Sequence, residues 1–458
     1  DWYRNVLKNQ YAKRKPSASK RRTFRRDTAS PRLETLEPRL CLASSLSVDT
    51  SGLLFHVEAS PSETMDVQLS IDSGRVVAYD VTADEIVASK HVNSIAMDDG
   101  IQITGGSGAD NLAIDFTSWI FSDGPGSATH VIHFNGQGGI DDLSMDGSEE
   151  VPFELAGDQV NLDGALVAEY TATEDLVITG ATEITVSDDI LEGMGLSLTA
   201  QEEITVESGV VISTRQIEDL ETGDHDLDPS TGSSYDLSFE SPVILVEDGA
   251  KLLSHVEDDS TYSPGDMTFT SMDQVGFAGL LVYREKDTST EITLTNVTLK
   301  AGDVVIDSDA DSVHRFDDDS ETSETVVDVL ESVSTIAGVA LSDATSVITF
   351  GEGTRIEANS LSVDSFAGAE AEVTTVGTAI GVTVAIANPT STIDIQKDVM
   401  INVEGDVDLN SHALSTISAK GYTVSLGPGT GGSPVDVTVT VTKSDIESKV
   451  NLADGASI

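Results

Sequence analysis

One cysteine, Cys41, stands in 458 residues, so neither an intrachain disulfide nor a thiolate metal cluster can form. Aromatic residues make up 5% of the chain, too few to supply a sugar-stacking groove along its length. Basic residues are scarcest in the body. Of the 25 Lys and Arg, 12 fall in residues 1–40, which leaves 13 against 75 Asp and Glu in residues 41–458 and a charge of −62 there. A field of that sign repels phosphate backbones and anionic lipid, so nucleic acid is excluded as a partner of the acidic body. The same charge favours a soluble, monomeric state and concentrates divalent cations near the surface. No apolar run reaches 18 residues; "AIGVTVAIA" at 379–387 is about half what a membrane-spanning helix needs, so the chain shown has no transmembrane segment of that kind. Walker-type phosphate loops, G-x-S-x-G elbows and Cys/His zinc spacings are absent from the sequence.

What is present begins with a basic, Ser- and Pro-bearing stretch, "AKRKPSASKRRTFRRDTASPRLE", without apolar periodicity, which reads as a disordered tail over residues 1–44. "LETLEPRLCLAS" follows. Leu36, Glu37, Pro38, Arg39 and Leu42 in it resemble the LEPR-XLL segment of very large, repeat-rich bacterial proteins, with Cys41 where that family carries Leu. The resemblance implies a targeting role in a giant exported protein. From about Ser45 the texture turns to short alternating runs of Val, Ile and Thr broken by Gly, Asp and Ser, as in "VITGATEITVS" and "TEITLTNVTL". "SETVVDVLESVSTI" at 323–336 is the exception, with spacing that fits a short helix or a turn insertion.

A nine-residue template of apolar, x, apolar, three turn residues, two more and an apolar residue opens at Ile204, Ile244, Ile348, Ile393 and Val450, with a copy one residue short at Ile292. The intervals are 40, 48, 56, 45 and 57. Val339, Val384 and Val441 each lie nine residues before a template start, so the length variation is confined to loops such as "GYTVSLGPGTGGSP". Fixed strands with elastic loops are the signature of a stacked repeat, and a β-sandwich would need roughly twice this period. The reading is an all-β chain: a β-rich region over 45–190, then a parallel β-helix (β-solenoid) over 191–458 with Ile393, Ile395 and Ile401 in its core. At about two coils per repeat it would hold roughly a dozen coils over on the order of 55 Å. A first residue other than Met and an end in mid-repeat read as a fragment of a longer chain. "GVVISTRQIEDLETGDHDLDPSTGSSYDLSFESPVILVEDGAKLLSHVEDDSTYSPGDMTFTS" and "TAIGVTVAIANPTSTIDIQKDVMINVEGDVDL" resemble repeats of filamentous-haemagglutinin-like surface proteins. That likeness implies a right-handed β-helix displayed outside the cell.

Two stretches resemble the nonapeptide of a calcium-binding β-roll, "GGSGADNLA" at 105–113 and "GQGGIDDLS" at 136–144, the second with Gln137 in place of a Gly. In such a roll Asp110 and Asp141 would supply carboxylate oxygen to a calcium ion shared between neighbouring turns. Because the two lie 31 residues apart, simple Gly/Asp turns between strands are the more economical reading. Asp307, Asp309 and Asp311 in "DSDADSVHRFDDDSE" alternate like the start of an EF-hand loop, but Ser312 stands at the sixth place and Asp318 at the twelfth, so a solvated acidic loop is expected. "GDHDLDPSTG" at 223–232 has the same alternation with less support. His130 and His133 are three apart, which suits a metal on a helix but not on a strand, and they read as ordinary strand residues.

These features lead to the expectation of a non-catalytic adhesin or structural protein at the bacterial cell surface or outside the cell. Its solenoid would serve as stalk and platform for a glycan or protein ligand. The alternatives are a β-helix polysaccharide lyase or hydrolase, which the dearth of basic and aromatic residues disfavours, and a calcium-binding extracellular matrix protein.

Overall fold

The computed structural model describes residues 46–97, 100–118, 130–138, 141–147, 151–171, 173–191, 193–214, 235–254, 264–278, 283–315, 335–377, 380–423 and 437–458. One compact unit spans Ala43–Ile458. The basic tail, the LEPR-like segment, the 223–232 stretch and all but the last two residues of 323–336 lie outside the described residues; those two residues begin a strand, Thr335–Phe350. The described chain is β throughout, with only two short 3-10 turns, Val92–Ser94 and Phe116–Ser118, and no α-helix among the described residues. Two sheets hold the strands, one of 25 and one of five.

Most of the pairing is parallel and in register, and the chain returns to one central column on pass after pass. A central column runs through ten passes: Asp66–Asp72, Asn111–Asp115, Asp142–Asp146, the first halves of Asp175–Val186 and Gly195–Val206, then Leu237–Glu240, Met267–Ala278, Asp303–Arg315, Ser360–Gly377 and Val407–Thr423. It crosses residue 190 without a break, since Leu176 pairs with Leu196. Beside it in the early passes lies a leading column of Phe55–Ala59, Ile101–Thr104, Ile132–Asn135 and Ala165–Thr171. Antiparallel meanders are confined to the early part, at Asp66–His91 and Phe153–Thr171. There the buried Lys90 donates from Nζ to the carbonyls of Thr50, Gly52 and Leu54 at 3.0, 2.9 and 2.7 Å and so closes the first turn.

The template read from the sequence is the register of a further column. Ile204 pairs with Ile244, Ile244 with Ile292, Ile292 with Ile348, Ile348 with Ile393, and Ile393 with Val450. Its ninth residues form the five-stranded sheet, where Ile212, Leu252, Leu299, Ile356 and Ile401 follow one another. Between the two sheets the sixth template residue turns the chain in the left-handed region: Gly209, Gly249, Gly353, Asp398 and Gly455, with Asn296 doing so at the fifth place of the short copy. Glycine suits that conformation because it has no Cβ to collide with the neighbouring carbonyl. Ile393 and Ile395 are fully buried and Ile401 nearly so, as the alternation requires.

One expectation is corrected. Neighbouring template copies pair directly, so each repeat makes one pass and not two, and the six copies rise over five steps of about 4.8 Å, roughly 24 Å. The residues are spent on longer strands: Met267–Ala278 has 12, Thr335–Phe350 16 and Ser360–Gly377 18. Those extensions form a second interior of Ala310, Ala340, Ala344, Ala367, Ala369, Ala371, Ala385 and Ala387 with one larger side chain, Val373, separate from the main core rich in Ile, Leu, Val and Phe. At the boundary stands a hydroxyl ladder. Thr290, Ser346, Ser391 and Ser448 align in the template column, and Ser308, Ser365 and Ser411 in the central one. They bond in a zigzag between the columns: Thr290 to Ser308 at 2.9 Å, Ser308 to Ser346 at 2.9 Å, Ser346 to Ser365 at 2.7 Å, Ser365 to Ser391 at 2.9 Å and Ser391 to Ser411 at 2.7 Å.

Candidate functional site

Asp110 and Asp141 come together. Residues 105–110 and 136–141 are successive connectors from the leading to the central column, and Asn111 pairs with Asp142 on the strands they enter. Asp110 and Asp141, 31 positions apart in sequence, therefore stand one full pass from each other. Each carboxylate clasps the pass before it. Asp110 Oδ1 accepts the Met65 N–H at 2.5 Å, Asp141 Oδ1 accepts the Asp110 N–H at 2.8 Å, and Glu174 Oε2 accepts the Asp141 N–H at 2.7 Å. Asp110 Oδ2 also takes the N–H of Gly106 at 2.6 Å. Gly105 is required here, because a Cβ would lie 2.3 Å from Asp110 Oδ2. The two aspartates stand in stacked connectors between strands, a placement that spacing alone had argued against.

Both aspartates are almost wholly buried. Burial raises the Asp110 carboxyl above its ordinary value, while the N–H groups of Met65 and Gly106 pull it down. Asp141 is pushed up to about 7, first by burial, against the Asp110 N–H, and further by the charges of Glu174, Asp110 and Asp142. Its Oδ2 is buried without a hydrogen-bond partner.

The stack continues as an acidic row that sequence reading missed. Asp66, Asp142, Asp175, Asp236, Asp266 and Asp303 open the central column in different passes. Backbone donors offset part of the repulsion: Asp236 Oδ1 takes the Asp266 N–H at 2.8 Å, and Asp266 Oδ1 takes the Asp303 N–H at 2.9 Å. Asp175 is raised to about 6 by burial and by Asp142, Asp236 and Glu174. Aligning pass with pass would have exposed this row, but the irregular intervals hide it.

Asp307, Asp309 and Asp311 are not on a loop. They occupy alternate positions of the strand Asp303–Arg315, facing outward, while Ser308, Ala310 and Ser312 between them are fully buried. Asp364 pairs with Asp307 from the next pass, and Phe366 pairs with Asp309. Burial raises Asp309 to about 6, with Asp311, Asp307 and Asp364 adding to it, and Asp307 is raised by burial and by Asp364. This outer face offers carboxylates beside apolar groups, including the exposed Met272 and Leu414.

His133 lies on a strand and pairs with Glu169 at 3.0 Å across the leading column. His130, just ahead of that strand, places Nε2 3.2 Å from the carbonyl of Ile95. Among the described residues no group of three or more His, Cys, Asp or Glu is arranged to hold a metal ion, and no helix is long and apolar enough to cross a membrane. Comparison with protein-family models, with curated proteins and with solved structures gave no match.

Proposed function

We propose that the chain is a non-catalytic stalk and binding platform of a large repeat-rich protein at the bacterial cell surface or outside the cell, built as a parallel β-solenoid. The supporting observation is the template register, which persists from Ile204 to Val450 while the intervals vary from 40 to 57 residues. A scaffold that keeps its strands and varies its connectors can present different loops and outer faces without disturbing the stack. The ligand would be a glycan or a protein held on outward side chains, with the acidic and apolar face around Asp307, Asp309, Asp364 and Phe366 as the leading candidate surface. Antibody against residues 191–458, applied to intact source cells before and after external protease, tests the location. Signal removed by protease is expected. Signal seen only after permeabilisation would overturn the surface reading.

A further inference from the structure

In the later passes the template column turns an apolar face outward. Val339 and Val347 stand on Thr335–Phe350, Val382, Val384 and Ile386 on Ile380–Ile395, and Val441 on Val437–Ser444, each at least partly exposed. The alternating Ala340, Ala344, Ala385 and Ala387 are fully buried in the alanine interior. Asp307, Asp309 and Asp364 lie on the outer face of the central column, across that interior. Aliphatic groups collected on one outer face gain by leaving water. The polar residues around them follow the register. One row runs Glu291, Val347, Thr392, Lys449, so an acid and a lysine stand at its opposite ends. The rows on either side run Ser289, Thr345, Thr390, Glu447 and Thr293, Thr349, Asp394, Asn451. A further row sets Asp343 beside Asn388, whose Nδ2 donates to Asp343 Oδ1 at 2.8 Å.

We propose that two copies of the chain pair through this face, related by a half-turn about an axis that runs along the strands between Thr335–Phe350 and Ile380–Ile395. Each row then meets its own reverse. Glu291 comes opposite Lys449 of the second copy, Val339 opposite Val384, and Asp343 opposite Asn388. In the three complete rows every carboxylate meets a hydroxyl, an amide or an ammonium, and none meets another carboxylate. A face that matches its own reverse selects a second copy as its occupant, because a two-fold interface must be self-complementary. Lys449 pairs with Glu447 of its own strand, and both are exposed, so exchanging that partner costs little. The area suffices: a 16-residue strand and four strands side by side give a face of about 50 Å by 19 Å, on the order of 900 Å², against about 800 Å² per partner in a standard interface. The body's charge of −62 opposes association wherever charges are not matched across the contact.

Sedimentation velocity on the 458-residue chain over rising concentration tests this, at about 0.15 M salt, where repulsion between the acidic bodies is screened beyond about 8 Å. A reversible monomer–dimer equilibrium is expected. Ile386→Asp, at an outward position, should weaken the dimer at least about tenfold while leaving the far-ultraviolet circular dichroism unchanged. Glu291→Lys and Lys449→Glu should each weaken it about tenfold by opposing like charges. Together they exchange acid and lysine, and should restore the affinity to within about threefold of the wild type. A wild type that stays monomeric up to about 1 mM would overturn the proposal. So would a dimer indifferent to Ile386→Asp, which would place the contact elsewhere, or a double reversal weaker than either single change. A monomer that floats with neutral phosphatidylcholine vesicles, and ceases to on Ile386→Asp, would overturn it by assigning the face to a lipid surface.

Discussion

Two interiors lie side by side in the later passes, with the hydroxyl ladder between them. On one side Ile348, Phe350, Ile393 and Ile395 fill the space with large apolar groups, and on the other Ala344, Ala367, Ala369 and Ala387 fill it with methyls. Interiors built of alanine and serine fit only where two sheets come closer than the ~10 Å of ordinary sheet packing, so the extension depends on proximity where the main core depends on buried area. The ladder suits that boundary. Each hydroxyl is small enough for the narrow side, and its hydrogen bonds satisfy the polar atom at the edge of the wide one.

The difference can be broken from either side. Phe350→Ala should be the most severe change, lowering stability by about 3–5 kcal/mol in urea unfolding, because a large, fully buried ring leaves a cavity. Ala367→Leu should cost about 1–3 kcal/mol by overpacking the narrow interior, whereas adding carbon to a wide core with slack would cost little. A stable Ala367→Leu variant would show that the extension is not held close. Ser365→Ala removes a hydroxyl that donates to the Ser346 carbonyl at 3.2 Å and leaves its neighbours short of a partner. Its cost should be about 1–2 kcal/mol, with faster amide exchange concentrated in Ser360–Gly377. The smallest effect is a gain: Asp398→Gly, at a φ of 58°, should raise stability by about 0.5–1 kcal/mol by relieving a left-handed non-glycine residue. If it does not, the template turn tolerates side chains better than its glycines imply.

Legibility divides along the same boundary. In the wide core the inward residues are apolar and the outward ones polar, so alternation reveals the strand. In "DVVIDSDADSVHR" large apolar residues point inward only as far as Ile306, and beyond it Ser308, Ala310 and Ser312 point inward while Asp307, Asp309 and Asp311 point outward. With only small residues on its inner face and carboxylates on its outer one, such a strand reads as an acidic loop. The connector aspartates were hidden differently. Their 31-residue spacing looked too long for neighbouring turns, yet it is one full pass of the stack.

By itself the sequence determined the β character, the template register and the turn at its sixth residue. These are local: period-2 burial and the steric freedom of glycine act over fewer than ten residues. Only the tertiary structure decided that one repeat makes one pass, that serine and alanine can line an interior, and that Asp141 lies buried between Asp110 and Glu174 of the neighbouring passes. Each depends on which strands become neighbours, and that is set by how much length the connectors absorb, a quantity that side-chain alternation does not encode.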